Sequence, residues 1–404
     1  MKIIVFGLLL IITQLNCISQ ETVFRDSIIN KAMTSFKNKW KIPGLSVAMA
    51  KDGRLVYANG FGYADTLNKI PVTPESKFRT ASCGKTITAI GIMKLVEEGK
   101  LDLNDRVFGR NGLLNGDTYS EIADKRVYDI TVKNLLQQTI GWPEIDIIGE
   151  NYAAYALHSP IPAGINENAR YILSQKLEFS PSKDYRYSDF NYLFLGEIIS
   201  ELTQQNHTDY IITNILHPIG AYNTLPAKST LEEREENEVI YYDYNQETLP
   251  FAFDTSKIVP MSYSFNFQPM ISSGGWISTP IDMIKLILAI DGLDNRKDIL
   301  KSETIKLMTS TPDGIKSRYA MGMKVTKSGW RHSGQCTWGT SAIWIKTNEN
   351  ICLAITCNTL PTVKGTEEVK YEAIIEHLID MIKLIPEKLG GITKYPDIDL
   401  FTVN

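Results

Sequence analysis

Apolar residues recur at helical spacing through ETVFRDSIINKAMTSFKNKWKIPG, Glu21 to Gly44, and Pro43-Gly44 stops the run, so an amphipathic helix is expected there. The following LSVAMAKDGRLVYANGFGYA is two strand-length apolar runs around Asp52-Gly53, a dipeptide suited to a tight hairpin turn. Helical spacing returns in the stretch after Ser82. From about Leu101 to Ser272 the pattern changes to short helices, long loops and many Asn, Tyr and Pro residues. The charge run LEEREENE, Leu231 to Glu238, reads as a solvated helix or loop face, because like charges repel and favour water. Strand character resumes in YAMGMKV, WRHSG, TSAIWIK and ICLAITC, and a last apolar-periodic helix is expected from about Glu367 to Leu384.

Strands at both ends of the chain pair most simply in one sheet. The expected fold is therefore α/β (α+β): a mostly antiparallel sheet flanked by N- and C-terminal helices, with an inserted all-α lobe. The sheet lobe would take residues 20–100 and 273–404 and the helical lobe 101–272 of a single domain, 20–404. The first residues, MKIIVFGLLLIITQLNCISQE, set one lysine before an apolar run from Ile3 to Ile12 that is too short to span a bilayer. They read as a secretory signal, residues 1–19, cleaved after Ser19, which places the mature chain in the periplasm or outside the cell. A lipid anchor at Cys17 is less favoured, since Gln14-Leu15-Asn16 lacks the small residue such a site wants. No other apolar stretch reaches the ~20 residues of a transmembrane helix.

Composition narrows the function classes. The chain has 404 residues, 43% hydrophobic and 22% charged, which is ordinary for a globular protein and excludes a disordered or collagen-like one. Its net charge of −4, from 42 basic and 46 acidic residues without a basic stripe, argues against nucleic acid as a partner. Cys83, Cys336, Cys352 and Cys357 form neither a disulfide framework nor a zinc-site spacing, so no metal or other cofactor is expected. The sequence does not specify an oligomeric state.

The chain has no G-x-S-x-G elbow and no HExxH, and His158, His207, His217, His332 and His377 are scattered. Ser82 and Lys85 differ: three residues apart at a helix start, they share one face, where the helix N-terminus favours developing negative charge. Serine needs a base within reach, and a desolvated lysine can serve. Taken alone, the pair is more often an ordinary helix cap beside a surface lysine. Two further groups accompany it: Tyr187-Ser188-Asp189, before an apolar-periodic helix beginning near Asn191, and His332-Ser333-Gly334 on a late strand.

In that order the three groups resemble the motifs of the serine β-lactamase and penicillin-binding superfamily, specifically its class C-like branch with the D,D-peptidase and esterase relatives. The resemblance covers nearly all the mature chain. It includes IPGLSVAMAKDGRLVYANGFGYAD as opening strands, ITVKNLLQQTIGWP as a helix that often ends in a His-Thr-Ser-Gly turn, and SSGGWISTPIDMIKLI as the glycine-rich block. It implies a β-lactamase/transpeptidase-like fold, with Ser82 as acylated nucleophile, Lys85 as its proton acceptor and Tyr187 as second base. The backbone N–H groups of Ser82 and Gln335 would form the oxyanion hole, with Asp189, His332 and Gly334 facing the substrate.

Departures from the family pattern bear on substrate. Asp189 stands where many relatives have Asn, and an ionised carboxylate cannot donate to an acyl amide carbonyl. His332 stands where β-lactamases tend to have Lys; it is mostly neutral at pH 7 and would gain charge as pH falls toward 6. Arg331 points to the opposite face of the strand. Gln138 and Ile140 replace common residues of the His-Thr-Ser-Gly turn, with little bearing on mechanism expected. The expected function is an exported serine hydrolase acting on a small-molecule or peptide acyl substrate, of esterase or peptidase type. The alternatives are a true β-lactamase or D-Ala-D-Ala carboxypeptidase, and a penicillin-binding sensor that is acylated without turnover. Cys83 and Cys336 should approach each other across the cleft, as free thiols rather than a disulfide. Of Trp142, Tyr152, Tyr155, Tyr185, Trp276 and Trp338, most should pack in the core and one or two line an acyl pocket.

Overall fold

The computed structural model describes residues 27–145, 148–243, 246–294, 296–336 and 339–360. The expected signal with Cys17, the helix from Glu367 to Leu384, His377 and Trp338 lie outside the described residues. The N-terminal periodicity folds as helix α1, Ser27–Lys39, followed by strands β1, Gly44–Lys51, and β2, Arg54–Asp65. Their turn has Asp52 at φ +50° and Gly53 at φ +79°, the left-handed pair that a two-residue hairpin requires. Strand β3, Ile70–Pro71, and strand β4, Phe78–Arg79, lead into helix α2, Gly84–Glu97.

The middle of the chain supplies short helices α3, Val132–Leu136, α4, Tyr152–Ala156, and α5, Ile165–Leu173, the longer α6, Asp189–Thr203, and α7, His207–Ile211. It is not all-helical, contrary to the expectation. Strand β5, Leu225–Pro226, pairs with β8, Trp276–Ser278, and strands β6, Thr248–Phe251, and β7, Asp254–Pro260, form a hairpin. The β-branched residues Thr248, Thr255, Ile258 and Val259 favour that local choice. LEEREENE is a loop as expected except at its end: Glu238 is buried and accepts a hydrogen bond of 2.7 Å from the Tyr241 hydroxyl.

Helices α8, Pro280–Leu288, and α9, Ser302–Met308, precede the closing strands β9, Lys324–Thr326, β10, Gly329–Cys336, β11, Thr340–Thr347, and β12, Ile351–Cys357. The strand expected over YAMGMKV is confined to β9. At Gly322, φ is +80° and an added Cβ would lie 2.5 Å from the Ala89 side chain, so the backbone there is pressed against α2 instead of pairing.

The main sheet runs β3-β2-β1-β12-β11-β10-β9 with every neighbouring pair antiparallel. Side chains alternate across it. Leu45, Val47, Met49, Ile343, Ile345, Leu353 and Ile355 pack with Met33 and Phe36 of α1 and with Trp40 just after it. The opposite face offers Ala48, Ala50, Ala342 and Ala354, small residues that let helix α8 approach β1, β11 and β12 closely. Burial on both faces explains why β1, β11 and β12 read as continuous apolar runs. The helical part shares one apolar cluster with that face, centred on Phe190, Leu193, Phe194 and Ile198 of α6. Thus α2 is held between sheet and lobe, with its N-terminus at their junction.

Candidate active site

The nucleophile candidate sits on a tight turn, Ala81–Cys83, between β4 and α2. Thr80 donates from its backbone N–H to the Trp276 carbonyl at 2.8 Å, and Ala81 takes φ +45°, a strained conformation for a residue with a Cβ. Two glycines clamp the turn. A Cβ added to Gly334 of β10 would lie 2.1 Å from the Thr80 carbonyl oxygen and 2.9 Å from the Ser82 nitrogen. One added to Gly274 would lie 2.8 Å from the Ala81 carbonyl. Only glycine allows strand, loop and turn to meet this closely.

Lys85, one turn on, is fully buried, and its Nζ donates to Ser82 Oγ at 3.2 Å and to the Ser273 carbonyl at 2.7 Å. Its third contact is an ion pair with Asp189 at the start of α6. The same ammonium lies 4.9 Å from the ring centroid of Tyr187 and 5.6 Å from that of Tyr192. The structure thus brings Ser82, Lys85, Tyr187, Asp189 and Gly334 together. Asp189 turns toward Lys85 as its counter-charge. Helix α6 begins at Asp189, two residues earlier than expected, which sets that carboxylate at a helix N-terminus.

His332 lies on the cleft side of β10 but is only 4% exposed. Its Nδ1 is 2.8 Å from the Ser333 carbonyl, which only accepts, so Nδ1 carries the proton and Nε2 accepts from the Tyr319 hydroxyl at 3.1 Å. Burial, with the Lys85 ammonium adding to it, pushes the imidazole down to about 3. The expectation that it gains charge near pH 6 is therefore corrected: it stays neutral there.

Tyrosines wall the cleft. Tyr319 meets Tyr187 edge-on at 5.9 Å and Tyr185 at 6.0 Å between centroids. Burial pushes the Tyr185 phenol up to about 12, with Lys85 opposing it, so this hydroxyl stays protonated. Of the six aromatics singled out, Tyr185 lines the site, Trp142 and Trp276 are core, and Tyr152 and Tyr155 are exposed. Cys83 and Cys336 form no disulfide among the described residues; the Cys83 thiol faces the His332 carbonyl at 3.7 Å, and burial raises its pKa.

Sequence reasoning missed three contributors. The Ser273 carbonyl and Gly274 belong to the visible SSGG block, but nothing local shows that they meet Lys85 and Ala81. Gln138, expected to matter little, accepts at its side-chain oxygen from the backbone N–H of Ser188 at 2.9 Å. Gly334 leaves no room for a Cβ beside the Ser82 nitrogen, whereas the Gln335 side chain is exposed.

A serine beside a buried lysine at a helix start, a tyrosine loop across from it and a glycine-bearing strand on its other side define a β-lactamase/transpeptidase-like serine hydrolase class. The chain belongs to the beta-lactamase family, whose model matches residues 29–376. Among curated proteins it is 33% identical over 198 residues to protein flp of Staphylococcus aureus (strain N315), 48% of this chain and 37% of that protein. It is 29% identical over 209 residues to penicillin-binding protein 4* of Bacillus subtilis (strain 168), 50% of this chain and 43% of that protein. The matches therefore span less than half of those relatives' length. Among solved structures, the octameric penicillin-binding protein homologue from Pyrococcus abyssi superimposes with a TM-score of 0.65 at 22% identity, covering 88% of this chain and 77% of that one. The D-amino acid amidase from Ochrobactrum anthropi SV3, complexed with L-phenylalanine, gives 0.67 at 20%, covering 89% and 99%.

Proposed function

We propose that this chain is an exported serine hydrolase that cleaves a small ester or amide through an acyl-enzyme on Ser82. The observation that carries the reading is the convergence on that residue: an interior ammonium 3.2 Å from its Oγ, and Gly334 pressed against its backbone nitrogen. The substrate carbonyl enters between β10 and the turn, with its oxygen at the N–H groups of Ser82 and Gln335. Because Asp189 pairs with Lys85, the lysine acts as an ammonium that stabilises negative charge gathering on Oγ. Tyr187, acting as the base, takes the proton leaving Ser82 and returns it to the departing alcohol or amine. Water, deprotonated by the same base, then releases the acyl group.

Esterase or peptidase action ranks above β-lactam hydrolysis. Asp189 is occupied as an acceptor, and the neutral His332 offers no fixed cation for a substrate carboxylate. The D-amino acid amidase likeness supports amides as a substrate class at the level of fold. Intact-mass spectrometry with activated esters, D-Ala-D-Ala peptides and penicillins tests the reading by recording both adduct and release. Ser82→Ala should form no adduct; an adduct on that variant sinks the mechanism. Export is tested by N-terminal sequencing of the mature protein, which should begin at Gln20.

A further inference from the structure

Gln138 follows helix α3 with its backbone at φ +60° and its side chain fully buried. Left-handed backbone is uncommon for a residue with a long side chain and costs stability. A second cost accompanies it, because the Gln138 side-chain nitrogen is buried without a hydrogen-bond acceptor among the described residues. The left-handed backbone also ends α3, with the Thr139 N–H on the Asn134 carbonyl at 3.0 Å and the Gln138 N–H on the Leu135 carbonyl at 3.3 Å, whereas the orphaned nitrogen serves no such end. What they secure is local: the Gln138 carbonyl accepts from the Arg186 N–H at 2.9 Å, and its side-chain oxygen accepts from the Ser188 N–H at 2.9 Å. One residue therefore holds the backbone on both sides of Tyr187.

The clamp is itself anchored. Its side-chain oxygen also accepts from Asn191 Nδ2, while Asn191 Oδ1 accepts from the buried Trp142 indole at 2.9 Å. Around it the two segments run together, with Ser182 N–H on the Thr139 carbonyl at 2.9 Å and Glu178 N–H on the Gly141 carbonyl at 2.8 Å. Tyr187 lies on the segment just before α6, its ring also meeting Tyr319 edge-on at 5.9 Å. Its exposed phenol is set 4.9 Å from the ammonium that touches Ser82.

We infer that Gln138 is a positioning residue, whose side-chain oxygen and strained backbone fix Tyr187 against Lys85 and Ser82. This rests on the proposed role of Tyr187 as base. The test uses Gln138→Met, which removes the acceptor, and Gln138→Gly, which removes it while suiting the left-handed backbone and so protects folding. Both should lower kcat on a nitrophenyl ester about 10- to 100-fold with KM within about 3-fold, as misplacement of a reacting group does. The isosteric Gln138→Glu keeps an acceptor oxygen and should recover most of the loss. In a Tyr187→Phe background, Gln138→Gly should add nothing, since it acts through the missing phenol. Fluorine NMR of 3-fluorotyrosine-labelled protein supplies a readout besides activity: the Tyr187 resonance, assigned by its loss in Tyr187→Phe, should move in Gln138→Gly. Wild-type kcat in Gln138→Gly beside an inactive Tyr187→Phe, a further loss in the double variant, or an unmoved resonance overturns the inference. Full activity of Tyr187→Phe instead removes the base assignment, and the resonance alone then decides whether Gln138 positions the ring.

Discussion

Asp189 shows how much one atom changes at this site. As a carboxylate it accepts from a lysine that is fully buried, while its own side chain is 18% exposed. An asparagine there would still offer Lys85 a carbonyl oxygen but would turn an N–H donor toward the cleft. Asp189→Asn should therefore lower stability by about 1–3 kcal/mol, because a buried ammonium loses its counter-charge. At the same time it should raise kcat/KM for a chromogenic cephalosporin relative to a nitrophenyl ester by about tenfold, the worth of one added hydrogen bond. Urea unfolding and paired kinetics measure the two; an unchanged ratio means the missing donor is not what limits amide substrates. His332 yields a companion expectation. With the imidazole at about 3, the cephalosporin-to-ester ratio should stay constant from pH 7 to pH 6, and a rise on acidification would show that His332 does gain charge.

At the scale of elements, the decisive feature is the turn Ala81–Cys83 between the two glycines of β10 and the SSGG loop. Gly334→Ala forces the strand or the turn to shift, since its Cβ would lie 2.1 Å from the Thr80 carbonyl oxygen. We expect about a hundredfold slower acylation, with a stability loss of about 1–3 kcal/mol from overpacking. Gly99→Ala is the control: φ is +69° but nothing lies within 4 Å, so it should cost about 1 kcal/mol and leave acylation unchanged. Equal acylation rates in the two variants would show that the close approach is not what sets Ser82.

Legibility followed the range of the signal. The β1–β2 hairpin was readable because its turn and both strands lie within a few residues, and α2 and β10–β12 because each has a periodic run of its own. Strands β4 and β5, two residues each, are too short to carry a pattern and exist only by pairing with β8, some 200 and 50 residues away in the chain. The Gln138 clamp was invisible for the same reason. Its meaning lies in contacts made 50 residues on, with Arg186, Ser188 and Asn191. The motif residues could be named from a resemblance; the ion pair between Lys85 and Asp189 could not.

For the whole molecule, one apolar cluster joins the sheet's inner face to the helical lobe, and two neutral histidines are built into that region. His332 lies below the site, and His207 lies behind α2, its Nε2 3.1 Å from Thr88 Oγ1; burial pushes each down to about 3 from an ordinary 6.5. An unfolded chain binds protons at both imidazoles below about pH 6.5 while the folded one does not until about pH 3. Their contribution to stability is thus complete above pH 6.5 and is lost as pH falls toward 3, most steeply near pH 5, by about 3 kcal/mol per pH unit for the pair. Asp298 works in the opposite direction. Burial, then repulsion from Asp291, raises its carboxyl to about 6, so the folded state holds that proton more tightly than the unfolded chain, and acidification favours folding there. Acid destabilisation should therefore be shallower than the histidines alone dictate. Urea unfolding at pH 7, 6 and 5 should show a falling free energy, with His207→Gln removing about 1 kcal/mol per pH unit of the slope and Asp298→Asn steepening it. Parallel slopes for the wild-type and His207→Gln proteins would mean that His207 already carries its proton in the folded state, and that the lobe tolerates a charge where the packing around α2 allows none.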